Sequence, residues 1–297
     1  MGILADAVVV VTGAGRGIGR GEAIEAARQG ARVVVNEVDA GAGRAVVEEI
    51  VAAGGQAVGH VGDCSEVEHA ESLIATALEA FGRLDALVNN AGILRDRTVV
   101  KMSPDEWDAV IKVHLRGHFL PTHVACAHWK ETGTGGRIVC TSSTSGLLGN
   151  FGQANYGAAK AGIAAFATIT AMEMARYGVT CNAIAPSART RMTIGAFGEM
   201  VVAEGEFDFW DPDNVAPLVA FLCSAQAGAI SGKVFGVQGD SVEIYQPWTS
   251  VGEITNGGRR FEPEQIAARV GELWEGTGVH PQVENMMARM RYRLDAD

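Results

Sequence analysis

Residues Ala7-Val8-Val9-Val10-Val11-Thr12-Gly13-Ala14-Gly15-Arg16-Gly17-Ile18-Gly19 decide the fold. Their five leading apolar residues do not alternate with polar ones, so the run reads as a strand buried on both faces. Gly13, Gly17 and Gly19 then mark a turn before an amphipathic stretch that reaches Arg28. Glycines between a strand and a helix let the backbone bend tightly and approach a pyrophosphate, whose charge the helix N-terminus stabilises. The spacing is Gly-x-x-x-Gly-x-Gly, with Arg16 and Ile18 between the later glycines.

The same rhythm continues down the chain. Residues 31–35, 57–61, 84–88, 137–141, 179–183 and 233–237 are further short apolar runs, with helical patterns near 41–53 and 66–81. Such alternation predicts an α/β, doubly wound sheet of about seven parallel strands with both faces covered. Ser103-Pro104-Asp105-Glu106 carries a capping serine, a proline in the first helical position and a glutamate three residues after the cap, which is a helix start. Asp211-Pro212 and Glu262-Pro263 predict two more. Beyond about residue 243 the rhythm changes: 249–262 is Gly-rich and polar, a helical segment covers 263–274, and a Met/Arg-rich tail covers 286–293. The expected organisation is a nucleotide-binding and catalytic domain over 1–242, with a helical extension over 243–297 for subunit contact or pocket cover. Residues 190–210, rich in Met, Phe and Gly, read as a lid.

A net charge of −11 and a pI near 5.1 argue against nucleic acid or an anionic membrane as partner. The 47% hydrophobic content and mean hydropathy of +0.12 are those of a folded enzyme. Five scattered cysteines without a Cys-x-x-Cys fit free thiols in a reducing compartment. The N-terminal residues lead into a strand without a basic-then-apolar segment, and the longest apolar stretch, 161–171, is too short to span a bilayer. The expected location is cytoplasmic.

A second stretch carries the chemistry: Ser143-Thr144-Ser145-Gly146-Leu147-Leu148-Gly149-Asn150-Phe151-Gly152-Gln153-Ala154-Asn155-Tyr156-Gly157-Ala158-Ala159-Lys160. Ser143 follows a strand, and Tyr156 and Lys160, four apart near a helix start, share one helical face. A lysine cation beside a tyrosine favours the phenolate, and a tyrosine so tuned exchanges a proton with a substrate oxygen near neutral pH. Ser143 can donate a hydrogen bond to that oxygen. Glu37 ends the second strand eighteen residues after Gly19. A carboxylate there accepts hydrogen bonds from ribose hydroxyls and repels a 2′-phosphate, which favours NAD over NADP. Arg16 is the opposing feature, a cation able to pair with such a phosphate. Asp63, with its neighbour Cys64, follows the third strand at the adenine end, and Asn89-Asn90-Ala91-Gly92 follows the fourth.

Together Thr12-Gly13-x-x-x-Gly17-Ile18-Gly19, Asn89-Asn90-Ala91-Gly92, Ser143, Tyr156-x-x-x-Lys160 and Asn182-Ala183-Ile184-Ala185-Pro186 resemble the short-chain dehydrogenase/reductase family over residues 3 to about 240. The resemblance implies a single Rossmann-type domain, hydride transfer at a carbonyl or alcohol carbon, and a homotetramer. It implies that Tyr156 is the acid/base, that Ser143 orients the substrate oxygen, and that Lys160 holds the nicotinamide ribose and lowers the Tyr156 pKa. Gly13, Arg16, Gly17, Ile18, Gly19, Glu37, Asp63, Cys64 and Asn90, with Tyr156 and Lys160, would contact the dinucleotide.

One family position differs: His114, in Val113-His114-Leu115-Arg116-Gly117, stands where most members have an asparagine of a proton relay. Histidine can also hold a water or pass a proton, so His114 joins the catalytic candidates, against the reading that it is a packed core residue. His114 and His118 share a helix face, yet no metal-ligand spacing accompanies them, and no metal is expected. The segments Asn90-Ala91-Gly92-Ile93-Leu94-Arg95-Asp96-Arg97, Val113 to Gly117 and Gly149 to Tyr156 resemble the (3R)-hydroxyacyl-CoA dehydrogenase domain of type 2 multifunctional β-oxidation enzymes and its stand-alone bacterial relatives. This implies a 3-hydroxyacyl-CoA substrate, in fatty-acid or sterol side-chain breakdown. The alternatives are an NADPH-dependent 3-ketoacyl reductase for an acyl carrier protein, a hydroxysteroid dehydrogenase and, outside enzymes, a dinucleotide-binding sensor. In the extension, Arg259 and Arg260 are candidates for a coenzyme A phosphate, and Trp248 or Trp274 for closing a pocket.

Overall fold

The computed structural model describes residues 2–190, 205–246, 248–279 and 281–283. The chain divides into two compact units, Met1–Tyr245 and Gln246–Asp297.

The first unit is an eight-stranded sheet. Its strands are β1 (Val8–Thr12), β2 (Arg32–Glu37), β3 (Gln56–Val61), β4 (Ala86–Asn89), β5 (Gly136–Thr141), β6 (Val179–Pro186), β7 (Val234–Gln238) and β8 (Ser241–Tyr245), in the order β3-β2-β1-β4-β5-β6-β7-β8. Every neighbouring pair is parallel except β7 and β8. The seven parallel strands expected are β1 to β7, and an eighth, antiparallel strand adds to them at the edge. The missed strand, Ser-Val-Glu-Ile-Tyr, is half exposed and alternates polar with apolar, unlike the buried runs before it. The two-residue Gly239-Asp240 turn that folds it back is a hairpin signal the sequence did carry.

Helices cover both faces. On one lie α1 (Gly17–Arg28) and α2 (Ala40–Ala52), and on the other α3 (Val67–Phe81). Further along come α4 (Pro104–Ile111), α5 (Gly117–Thr132), α6 (Thr144–Leu148), α7 (Ala154–Met174) and α8 (Ala216–Cys223). The alternation within β1 explains the two cores, since successive side chains point to opposite faces. Val9 and Val11 join Val33, Val35, Ala23 and Val219 on the α1/α8 side, while Val8 and Val10 join Val34, Leu73, Trp129 and Ile163 on the α3/α5/α7 side. The Ser103 helix start is a capping box, with the Ser103 hydroxyl accepting from Glu106 N–H and Glu106 reaching back to Ser103 N–H. After Asp211 the chain makes a single 3-10 turn, Pro212–Val215, before α8.

The second unit holds α9 (Pro263–Arg269), whose Glu262 and Gln265 form a capping box, and a 3-10 turn over Val270–Leu273. In it the Arg269 guanidinium pairs with Glu272 and stands 5.9 Å from the Phe261 ring centroid. Arg259 and Arg260 are exposed, as is Trp248. The tail over 286–293, and most of the lid expected over 190–210, lie outside the described residues. No described helix is long and apolar enough to cross a membrane.

Candidate active site

The strand order reverses between β1 and β4, and ligands of such sheets bind outside the carboxyl ends at that switch point. The turn after β1 and the loop after β4 are bolted together there. Thr12 Oγ1 accepts from the backbone N–H of Asn90 at 3.0 Å and of Ala91 at 3.2 Å. The Asn90 amide donates to the carbonyls of Thr12 at 3.0 Å and Gly13 at 3.1 Å, so its side chain braces the turn. A Cβ at position 19 would lie 2.3 Å from that amide and 2.4 Å from Gly13 O, so only glycine fits. Ile18 packs against the adjoining core.

Glu37 lies against this turn. Its Oε2 accepts from Gly15 N–H at 3.1 Å and its Oε1 from Val38 N–H at 3.0 Å, which fixes the carboxylate beside the glycine turn. A ribose would find there a carboxylate already in place, and a pyrophosphate the open backbone at the start of α1. The residues present therefore fit a dinucleotide. Arg16, read from sequence as a cation open to a 2′-phosphate, instead pairs with Asp39. Asp63 accepts from Ser65 N–H at 2.9 Å and Ser65 Oγ at 2.6 Å. Burial raises its pKa, but Ser65, Lys112 and His69 outweigh it and hold the carboxyl below its ordinary value. Cys64 turns inward: its thiol is pushed up to about 12 by burial and then by the charge of Asp63.

Across the switch point, β5 ends at Thr141 and α7 starts at Ala154. Ser143 is extended, and its Oγ caps α6 by accepting from Ser145 N–H at 3.2 Å. Lys160 is buried, its Nζ donating to the Thr141 carbonyl at 2.5 Å, and the Ser142 hydroxyl donates to Lys160 O at 2.7 Å. Nζ stands 5.5 Å from the Tyr156 ring centroid. The structure brings the three predicted residues together, with the Ser143 hydroxyl near enough to the Tyr156 phenol to act on its titration.

The electrostatics differ from the expectation. Burial pushes the Tyr156 phenol up to about 12, the Ser143 hydroxyl opposes that rise, and Asp96 adds to it. Burial brings Lys160 down to about 7 against the pull of Cys140 and Glu22. The expected depression of the Tyr156 pKa is therefore corrected: desolvation raises it, because the phenol sits in a poorly hydrated site.

His114 sits in a single π-helical turn, Lys112–Arg116, between α4 and α5. Such turns interrupt an α-helix at functional sites. The ring meets Tyr156 edge-on, with centroids 5.1 Å apart. Its Nε2 lies 2.7 Å from Ile93 O and 3.0 Å from Ile93 N, while buried Nδ1 has no hydrogen-bond partner among the described residues. A Cβ at Gly92 would stand 2.4 Å from the ring, so glycine makes room for it. Burial and the charge of Lys160 bring the imidazole down to about 3, so it is neutral. His118, one turn on, is also held well below its ordinary value by burial, Lys160 and His114. Sequence reasoning missed Asp39 and Asp96. Asp39 had a visible signal, an acid two residues beyond Glu37 at a helix start; Asp96 had none.

Comparison with known proteins completes the picture. The family described as short chain dehydrogenase matches residues 7–197. The chain is 44% identical to the hydroxyacyl-CoA dehydrogenase ChsB1 of Mycobacterium tuberculosis, covering 92% of this chain and 90% of that one. It is 45% identical to the mouse peroxisomal multifunctional enzyme type 2 over 73% of this chain, which corresponds to 29% of the mouse protein. Against a 3-oxoacyl-[acyl-carrier-protein] reductase of Synechocystis the identity is 41%, over 82% of this chain and 99% of that one. A crystal structure of a short chain dehydrogenase from Mycobacterium avium superposes with a TM-score of 0.84 at 47% identity, covering 92% of this chain and 96% of that one. The chain belongs to the short-chain dehydrogenase/reductase family and is an oxidoreductase acting on CH–OH groups.

Proposed function

We propose that the chain oxidises the 3-hydroxyl of a (3R)-hydroxyacyl-CoA to the ketone with NAD. The likeness to hydroxyacyl-CoA dehydrogenase ChsB1 along 92% of the chain carries the substrate class. The Glu37 carboxylate beside the glycine turn supports NAD, because a 2′-phosphate there would meet a fixed negative charge.

In this reading Gly13, Gly17 and Gly19 with the start of α1 hold the pyrophosphate, and Glu37 the adenosine ribose. Asp63, through its carboxylate, and Cys64, through its backbone, flank the adenine. Bound NAD supplies the hydride acceptor. Ser143 orients the substrate hydroxyl, and Tyr156 beside it takes its proton. Lys160, anchored on Thr141 O, holds the nicotinamide ribose and stabilises the phenolate as it forms. Neutral His114, against the Tyr156 ring, accepts through Nδ1 a hydrogen bond from a water that relays the proton toward solvent. The functional unit is a homo-oligomer.

The test is nicotinamide reduction with racemic 3-hydroxyacyl-CoA thioesters, NAD and NADP side by side. Turnover of the 3R form with NAD is the expected result. The second reading, a reductase of carrier-bound 3-ketoacyl groups, draws on the likeness to the Synechocystis protein. Preference for NADPH and a carrier-protein thioester in the same comparison would replace the first reading with it.

A further inference from the structure

The cation of the glycine turn is held by a second acidic residue. Arg16 caps α1 in extended conformation and directs its guanidinium to Asp39 Oδ2. The other oxygen of Asp39 accepts from Gly41 N–H at 3.0 Å and Ala42 N–H at 3.2 Å at the start of α2. Asp39 is thereby pinned by one oxygen while the other faces Arg16. Its carboxyl is held below its ordinary value by the Arg16 hydrogen bond and the two amides, so it stays charged. The next cation along α1, Arg20, is likewise held by Glu49 at 2.5 Å.

We infer that Asp39 is a specificity residue for the dinucleotide: by holding Arg16, it withholds from a ribose 2′-phosphate the cation that would otherwise pair with it. The inference rests on the NAD reading above and deepens it. Glu37 repels the phosphate directly. Arg16 alone would offset that repulsion, since a guanidinium matches phosphate oxygens in charge and geometry. With Asp39 in place, a phosphate must compete for Arg16 against a carboxylate already hydrogen-bonded to it. Discrimination therefore depends on two acids, one acting on the ligand and one on the cation.

The test is fluorescence titration of NADH and NADPH on the intact chain, comparing wild type, Asp39→Asn, Arg16→Gln and the double variant. Asparagine caps helices as well as aspartate does, so Asp39→Asn removes the charge and keeps the start of α2. An exposed ion pair is a modest interaction, so we expect Asp39→Asn to tighten NADPH about five- to tenfold, with NADH within about twofold. In the Arg16→Gln background the same substitution should leave NADPH within about twofold. An equal gain in both backgrounds would mean that Asp39 acts by its own charge and would overturn the inference, as would no gain in either. Tighter binding of NADPH than NADH by the unmutated chain would instead bring down the NAD reading itself, and the inference with it. That outcome is visible before any substitution is made.

Discussion

Tyr156 and Lys160 move in opposite directions for one reason. Burial disfavours the charged form of each, raising the phenol to about 12 and lowering the ammonium to about 7. Tyr156 therefore keeps its proton across the physiological range, ready to protonate a carbonyl oxygen. To oxidise an alcohol it must first lose that proton, so kcat/KM for oxidation should climb with pH through neutrality while that for reduction stays level. Matching pH profiles in the two directions would contradict this. Tyr156→Phe should lower turnover by about 10²–10⁴-fold, the usual contribution of a positioned acid/base. Its NADH affinity, read by fluorescence titration, should stay near wild type; a variant that turns over normally would remove Tyr156 from the mechanism. His114→Ala should separate the same two readouts, with turnover down and NADH binding kept. Wild-type turnover in that variant would leave His114 as packing.

At the scale of elements, the same contacts that carry the fold aim the site. Trp129 on α5 is fully buried and donates its indole N–H to Leu84 O at 2.9 Å, tying the helix to the chain entering β4. Trp129→Phe keeps most of the apolar area but leaves that buried carbonyl unpaired, a loss of roughly 1–3 kcal/mol. Urea unfolding should show it as a lower midpoint with an unchanged slope. Most of the seven parallel strands are legible in the sequence because buried strands have no polar alternation, whereas β3 lies at the sheet edge with no residue fully buried. β8 escaped that reading because its Val242 and Ile244 are exposed and alternate with half-buried Ser241, Glu243 and Tyr245. The Ser103 cap is legible because a capping box is local. The π-turn at His114 is not, since it depends on what packs against Gly92 and Ile93 from a distant loop. At the site, spacing places Tyr156 and Lys160 on one face, but spacing carries no information about desolvation. Hence spacing brings Tyr156 and Lys160 to one face without giving the direction of the Tyr156 shift.

Whole-molecule stability carries the mark of one acid that the chemistry does not use. Glu22, on α1, is buried at 2% exposure, and neither carboxyl oxygen has a hydrogen-bond partner among the described residues. Burial pushes it up to about 8, with Lys160 pulling the other way. The folded chain then binds more protons than the unfolded chain between the ordinary carboxyl pKa of 4.5 and about 8. The contribution of Glu22 is fully present below that window and is lost as pH rises through it. Lys160 acts with the opposite sign between about 7 and its ordinary 10.5, where the unfolded chain holds the extra proton. Glu22→Gln keeps the side-chain shape and removes the titration. Its stability relative to wild type should be smallest near pH 5 and grow to a few kcal/mol by pH 8. Urea midpoints of the two proteins at pH 5, 6.5 and 8 isolate Glu22, since every other titrating group is common to both. A difference that stays constant across the three would mean that Glu22 titrates as it does in water, and that α1 does not hold it in a dry core.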